Sequence, residues 1–541
     1  MDDASFDYII VGAGSAGCVL AEGLSASGKF KVLLLEAGGS DAQFWIKVPI
    51  GYGVNFKNAR INWGYHAQPD PQLNARSVYW PRGRVIGGSS SINAMAYVRG
   101  LPQDFDDWEN AGAAGWGWTS VKSAYEALET HSELTEHGRR VQRGSGPLWV
   151  SDLSDQMNPF SRHFLQAAEE AGWPVLANLN GSAVNGLSYY RSTVRNGLRF
   201  SAADAFLRPA LKRPNLTVVS NALVEKLVVA DGRAIGVRYR VGDKALTARA
   251  EGEVIVSAGA INSPQILQLS GLGPVDVLRA AGVKVQEELP QVGKGLQDHL
   301  AVSYQFGATE PTLNNIFRSP LQRMMAGVQY ALMRRGPLSV PVNQVGGFVR
   351  TGEGEGVPNV QIFCNPANYH VNAEGKTILA SAPGYILSAQ PCRPTSRGEI
   401  RIASSSPADA PLIVPNSLAT EEDRHAALQA TKAVRMLAET KSLRDVTRGR
   451  GTPDPITMSD DALMEDFKAR ASTVFHPTCT CRMGRNAADS VLDSELKVHG
   501  VKGLRVVDAS AFPNITSGNT NAPTMMLAAR AVQHILRSAR A

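Results

Sequence analysis

Tyr8-Ile9-Ile10-Val11 runs directly into Gly12-Ala13-Gly14-Ser15-Ala16-Gly17, and the residues through Leu24 continue at helical spacing. A buried strand, a tight glycine turn and a helix, in that order, open a βαβ unit. Gly12 permits the turn, Gly14 lets a pyrophosphate approach the backbone, and Gly17 allows close packing of helix on strand. The first helical turn, with Ser15 and Ala16, offers unpaired N–H groups and the positive end of a dipole to an anion. A second apolar strand, 31–35, leads into Glu36-Ala37, with Glu36 19 residues past Gly17, where a carboxylate accepts hydrogen bonds from a ribose. The pattern predicts an α/β nucleotide-binding domain, and FAD and NAD both satisfy it.

The chain has 541 residues, enough for two or three domains at about 150 residues each. Hydrophobic residues at 43% and charged residues at 19% exclude a disordered chain, and 51 Gly with 30 Pro point to a turn-rich globular protein. No stretch reaches the ~18 consecutive apolar residues of a membrane span, and Met1-Asp2-Asp3 lacks a basic secretory leader, so a soluble cytoplasmic protein is expected. The net charge of +6 comes from 55 basic and 49 acidic residues interspersed without a basic run. That argues against nucleic acid, while peripheral contact with an anionic membrane surface stays compatible. Five cysteines, Cys18, Cys364, Cys392, Cys479 and Cys481, are too sparse for a disulfide framework and fit a reducing compartment.

Longer motifs follow: Pro81-Arg82-Gly83-Arg84-Val85-Ile86-Gly87-Gly88-Ser89-Ser90-Ser91-Ile92-Asn93-Ala94-Met95, then Gly259-Ala260-Ile261-Asn262-Ser263-Pro264, Ser270-Gly271-Leu272-Gly273, and Val292-Gly293-Lys294-Gly295-Leu296-Gln297-Asp298-His299. Together they resemble the glucose–methanol–choline (GMC) oxidoreductase family, and the likeness runs from residue 6 to about residue 537. The resemblance lies nearest the bacterial alcohol, polyethylene glycol and sorbose dehydrogenases, with a choline dehydrogenase-like cast. It implies a Rossmann-like FAD-binding domain, discontinuous in sequence, and a substrate domain built on a six-stranded antiparallel sheet backed by helices. The corresponding divisions are 1–300 with a small excursion at 155–195, 301–475, and 476–541.

The resemblance also implies FAD as cofactor, with its diphosphate on Gly12, Gly14, Ser15 and Ala16 and its adenosine ribose on Glu36, and with Gly17, Ala37 and Arg84 also in the cofactor site. The loop holding Gly88, Ser89, Asn93, Ala94, Met95 and Ala96 would flank the isoalloxazine. Val224 sits where the family holds adenine through backbone, and Trp63 is a further candidate contact, with plain core the alternative for both. Asp508 and Ala509 would lie along the ribityl-diphosphate chain, and Thr520, Asn521 and Thr524 at the pyrimidine edge, ahead of a closing helix over 524–536. Relatives with covalent flavin carry histidine where this chain has Ile92, so the FAD is expected to be non-covalent.

Of ten histidines, His476 stands apart, opening His476-Pro477-Thr478-Cys479-Thr480-Cys481-Arg482-Met483-Gly484; Asn519 follows 43 residues later in Gly518-Asn519-Thr520-Asn521. By resemblance these two form the catalytic pair. Oxidising an alcohol removes the hydroxyl proton and transfers the α-hydrogen as hydride; a neutral imidazole suits the base, and an amide N–H₂ can hold the developing alkoxide. His476, Cys479 and Cys481 do not make a zinc site, because four ligands in the usual spacing are missing, and no metal is expected. The family pattern has glycine where Cys479 stands, and the Thr478-Cys479 variant resembles the branch containing sorbose-type polyol dehydrogenases.

The segment 301–475 alternates short strands with polar turns, such as Val345-Gly346-Gly347-Phe348-Val349 and Val360-Gln361-Ile362-Phe363, and is expected to build the substrate wall. A helix over 321–333, rich in Met and Leu, is expected to be ordinary core, ahead of a pocket lid or membrane-facing element. The reading that follows is FAD-dependent oxidation of a primary alcohol or polyol, with a quinone or other carrier as acceptor and an oxygen-using oxidase as the alternative. A flavoprotein lyase or photodecarboxylase on the same fold is a further alternative. Retention of both His476 and Asn519 argues for alcohol oxidation, and against a binding protein with a degenerate site.

Overall fold

The computed structural model describes residues 4–135, 137–352, 356–371, 377–451 and 453–539. The strand Ala4–Val11 lies between Val32–Leu35 and Lys244–Val256, parallel to both, and Leu216–Val219 extends the sheet beyond Val32–Leu35. Ile9, Ile10, Val11 and Leu33 to Leu35 are all buried, as the inner strands of a sheet covered on both faces must be. Ala222–Ala230, Arg233–Val241 and Lys244–Val256 add an antiparallel meander. Its first hairpin turns on Asp231 and Gly232, both at positive φ, whose twist matches the flanking strands. Leu504–Val506 returns to pair in parallel with the end of Lys244–Val256. The nucleotide-binding sheet is therefore discontinuous in sequence.

The helix Ser15–Ser25 packs on Asn521–Ser538, which begins three residues earlier than the spacing predicts. Two glycines set these distances. A Cβ on Gly17 would lie 1.8 Å from the Gly12 carbonyl, and one on Gly23 2.7 Å from Val532. The helix can therefore sit close to both the strand turn and its partner helix only without those side chains.

A second sheet runs in the order Thr447–Arg450, Leu300–Ala308, Gly384–Pro391, Val360–Asn365, Val345–Val349, Gly186–Tyr189, antiparallel throughout, with Ser472–Thr473 beside Leu300–Ala308. Its last strand comes from the excursion inside the N-terminal half. Val360, Ile362 and Cys364 alternate onto the face covered by helices Glu421–Ala438 and Ser161–Glu170, in one core with Ala427, Ala430 and Val434. Gln361, Phe363 and Asn365 consequently point to the other face, towards the first sheet.

One expectation fails. The helix Pro320–Met333 forms as predicted but is not core: only Ala326 and Tyr330 are buried, while Leu321, Met324, Met325, Val328, Leu332 and Met333 are all more than half exposed. Apolar content all round a helix does not say which side, if any, finds a partner, and here a single i, i+4 seam does. Among the described residues no helix is long and apolar enough to cross a membrane.

Candidate active site

One cavity runs between the two sheets and collects most of the residues singled out in the sequence. Gly12, Gly14, Ser15, Ala16, Glu36, Ala37, Trp63, Val224, Asp508 and Ala509 line it together with Gly88, Ser89, Asn93, Ala94, Met95 and Ala96 of the loop. His476, Asn519, Thr520, Asn521 and Thr524 complete the wall. Two residues fall outside it. Gly17 lies behind Gly12, where its role is packing, and Arg84 lies over the Trp63 ring, 4.9 Å from its centroid, instead of facing the cavity.

The nucleotide end fits FAD on its own geometry. No side chain caps the helix Ser15–Ser25, and a Cβ on Gly14 would meet nothing within 4 Å, so its first turn opens onto the cavity. A Cβ on Gly88 would sit 2.6 Å from the Gly14 Cα, so only glycine lets the loop cross so close to this turn. Ser15 Oγ donates to Asn521 Oδ1 at 2.7 Å, joining the beginnings of two helices whose dipoles favour negative charge. Glu36 accepts from the backbone N–H of Ala13 at 2.9 Å and of Gly38 at 2.7 Å, and burial raises its carboxyl to about 7. Asp508 is more committed than the sequence suggests. Its carboxylate accepts from Gly259 N, Ser263 Oγ and Ser510 N, fastening the helix Gly259–Leu269 to the turn that follows Leu504–Val506.

At the other end, His299 Nε2 donates to the Cys392 carbonyl at 2.8 Å. In a neutral imidazole the other nitrogen is then an acceptor, and His299 Nδ1 lies 3.0 Å from His476 Nδ1. His476 must therefore carry its proton on Nδ1, which leaves Nε2 bare, with Asn519 Nδ2 3.2 Å away. Burial, His299 and the Arg82 guanidinium, in that order, hold His476 well below the usual imidazole range, and burial holds His299 at about 4. Both rings are neutral at pH 7. Asp298 Oδ1 accepts the backbone N–H of His476 at 2.7 Å, and Phe475, at φ 71, and Cys479, at φ 73, flank His476 in a backbone region that favours glycine.

The amide of Asn519 is oriented by a chain of donors from the second sheet. Gln390 Nε2 donates to Gln361 Oε1 at 2.9 Å, and Gln361 Nε2 lies 3.4 Å from Asn519 Oδ1, which turns Asn519 Nδ2 towards His476. Sequence reasoning missed both glutamines, since only the pairing of Gln361 with Gln390 across neighbouring strands brings them together. It also missed Arg199, which is fully buried and donates to the carbonyls of Ile46 and Ser90 and to Asn93 Oδ1, bracing the loop 88–96. His299 was visible inside a quoted motif, but its role depends on a partner 177 residues away.

Tyr52, Phe56, Phe363, Tyr369 and Phe475 wall this end, with Ser303, Ser388, Asn343 and Asn365 between them. Glu36 and Asp508 are the only carboxylates among the described lining residues. Asn365 Oδ1 is buried without a hydrogen-bond partner. Cys479 does not line the cavity; its thiol contacts Gln297 Oε1 at 3.4 Å and Thr478 Oγ1 at 3.1 Å.

Two family profiles described as GMC oxidoreductase match residues 6–301 and 394–528. An alcohol dehydrogenase [acceptor] of Pseudomonas putida is 40% identical, covering 98% of this chain and 96% of its own. The mitochondrial choline dehydrogenase of Homo sapiens is 38% identical over 98% and 89%. Among solved structures, pyridoxine 4-oxidase from Mesorbium loti superposes with a TM-score of 0.87 at 30% identity, covering 97% of this chain and 98% of that one. A formate oxidase superposes with a TM-score of 0.92 at 25% identity, over 100% and 99%.

Proposed function

The chain belongs to the GMC oxidoreductase family, with FAD as its cofactor, and from that premise we propose that it oxidises an uncharged alcohol with His476 as base and Asn519 as its partner. The observation that carries this reading is the bare Nε2 of His476 facing the Asn519 amide across 3.2 Å in the cavity wall. His476 Nε2 takes the hydroxyl proton, and its neutrality at pH 7 makes it competent to do so. Asn519 Nδ2 donates to the same substrate oxygen and holds the charge that develops there, without a second charge to desolvate. FAD, when bound, supplies the two-electron acceptor for the hydride from the α-carbon.

Ile92, which lines the cavity, offers no nucleophilic atom, and this supports dissociable FAD. The absence of a carboxylate from the described lining at this end supports an uncharged primary alcohol, and the unpaired Asn365 Oδ1 supports a second hydroxyl on the substrate. Kinship with a dehydrogenase named for a separate acceptor supports a quinone or similar carrier over oxygen.

Anaerobic titration of the holoenzyme with primary alcohols, diols and choline tests the reading. Bleaching of the flavin band by uncharged alcohols in the dark, with recovery on adding quinone and not air, is the expected result. A flavin that no alcohol reduces would replace it with a lyase or light-driven reaction, and preferential reduction by choline would overturn the substrate class.

A further inference from the structure

The helix Pro320–Met333 carries six of the fifteen exposed large apolar side chains found among the described residues. Leu321, Met325, Val328 and Leu332 recur at i, i+4, i+7 and i+11, with Met324 beside them, on the side opposite the buried seam of Ala326 and Tyr330. The helix is otherwise well made. Ser319 Oγ accepts from Gln322 N, Pro320 opens the first turn, Arg334 ends it at φ 53, and Tyr330 OH donates to the Gly197 carbonyl. An amphipathic helix has been attached by its narrower apolar seam, with the broader stripe turned outward.

The chain segment that carries that stripe has charges of one sign. From Pro311 to Gly352 the chain contains Arg318, Arg323, Arg334, Arg335 and Arg350 and no aspartate or glutamate. Arg335 pairs with Asp155, whereas Arg323 and Arg334 have no carboxylate partner among the described residues. A second copy meeting this face symmetrically would bring the same arginines against one another. An anionic lipid surface complements both the charge and the pliant Met and Leu side chains.

The face continues beyond the helix. The turn Pro337–Ser339 packs on Pro49–Gly51, and the short helices beside that turn expose Phe44, Trp45 and Val54. Tyr52, which begins one of these short helices, and Asn343, four residues past the turn, line the cavity, so the face adjoins the site. We propose that this face docks on an anionic bilayer, with Pro320–Met333 lying in the headgroup plane and Phe44 and Trp45 as neighbouring anchors. Docking does not depend on the chemistry proposed above.

Flotation of the holoenzyme with phosphatidylcholine vesicles, and with mixed phosphatidylcholine and phosphatidylglycerol vesicles, tests this. Binding to the mixed vesicles that weakens with added salt is expected. Met325→Glu combined with Leu332→Glu should reduce it by about tenfold or more, with flavin reduction by a water-soluble alcohol unchanged. Arg323→Glu with Arg334→Glu should reduce binding to the mixed vesicles while leaving the weaker binding to phosphatidylcholine alone. Wild-type protein that stays with the unbound fraction, or Glu variants that float as well as wild type, would overturn the proposal. So would sedimentation showing a dimer that the Glu variants dissociate.

Discussion

His299 and His476 face each other Nδ1 to Nδ1 across 3.0 Å, with their rings at 88°. Because the Cys392 carbonyl holds the proton of His299 on Nε2, one backbone oxygen determines which nitrogen of His476 is free. His299 is thus a positioning residue. His299→Phe removes the acceptor, so His476 is released to take either tautomer, and flavin reduction should slow by about 10²-fold, the cost of a misplaced reacting group. FAD content should not change, and stopped-flow reduction at saturating alcohol, with the absorbance spectrum as control, measures both. His299→Gln, whose amide oxygen can accept from Nδ1, should recover part of the loss, which a purely structural role would not give.

Replacing the proposed base, His476, should have a larger effect. His476→Ala should retain FAD and slow reduction by about 10²–10⁴-fold, the usual contribution of general base catalysis. Near-normal reduction would remove His476 from that role.

The pH profile has a defined sign. As the proposed base, His476 acts in its neutral form, and its folded-state value lies well below 6.5. Reduction should therefore be flat on either side of neutrality and fall only as pH drops below 6.5. A limb centred above 6.5 in the rate constant at saturating alcohol would contradict the assignment.

Glu36 links pH to cofactor retention. Burial raises its carboxyl from 4.5 to about 7, so the folded, FAD-free protein holds this proton where the unfolded chain has lost it. Its contribution to the stability of the FAD-free protein accordingly falls as pH rises through that window. With the proposed ribose contact, the hydroxyls would donate to the ionised form, so FAD affinity should weaken as pH falls below about 7, and Glu36→Gln should bind FAD more weakly with a flatter pH dependence. Titration of the apoprotein with FAD at several pH values measures this, and wild-type affinity in the variant would count against the ribose contact.

Asn365 tests the substrate wall. Its Oδ1 is buried and unpaired, so Asn365→Leu should raise KM for a diol about tenfold or more, the cost of one lost hydrogen bond. The KM for the matching mono-alcohol should stay the same or fall. Equal changes for both would show that the residue does not read a second hydroxyl.

The strand, the glycine turn and the acid at Glu36 were legible because their physics is local: the spacing alone brings the helix N-terminus and the carboxylate to the same end of one cavity. The motifs 81–95, 259–264, 270–273 and 292–299 carried the resemblance to the family, and that resemblance implied the cofactor. Tertiary structure decided what depends on partners distant in the chain. The tautomer of His476 follows from His299 and Cys392, and the direction of the Asn519 amide from two glutamines on neighbouring strands. The outward face of Pro320–Met333 follows from which seam found a surface to pack on. Hydrogen-bond polarity and burial are properties of pairs, and a sequence names only one member of each pair at a time.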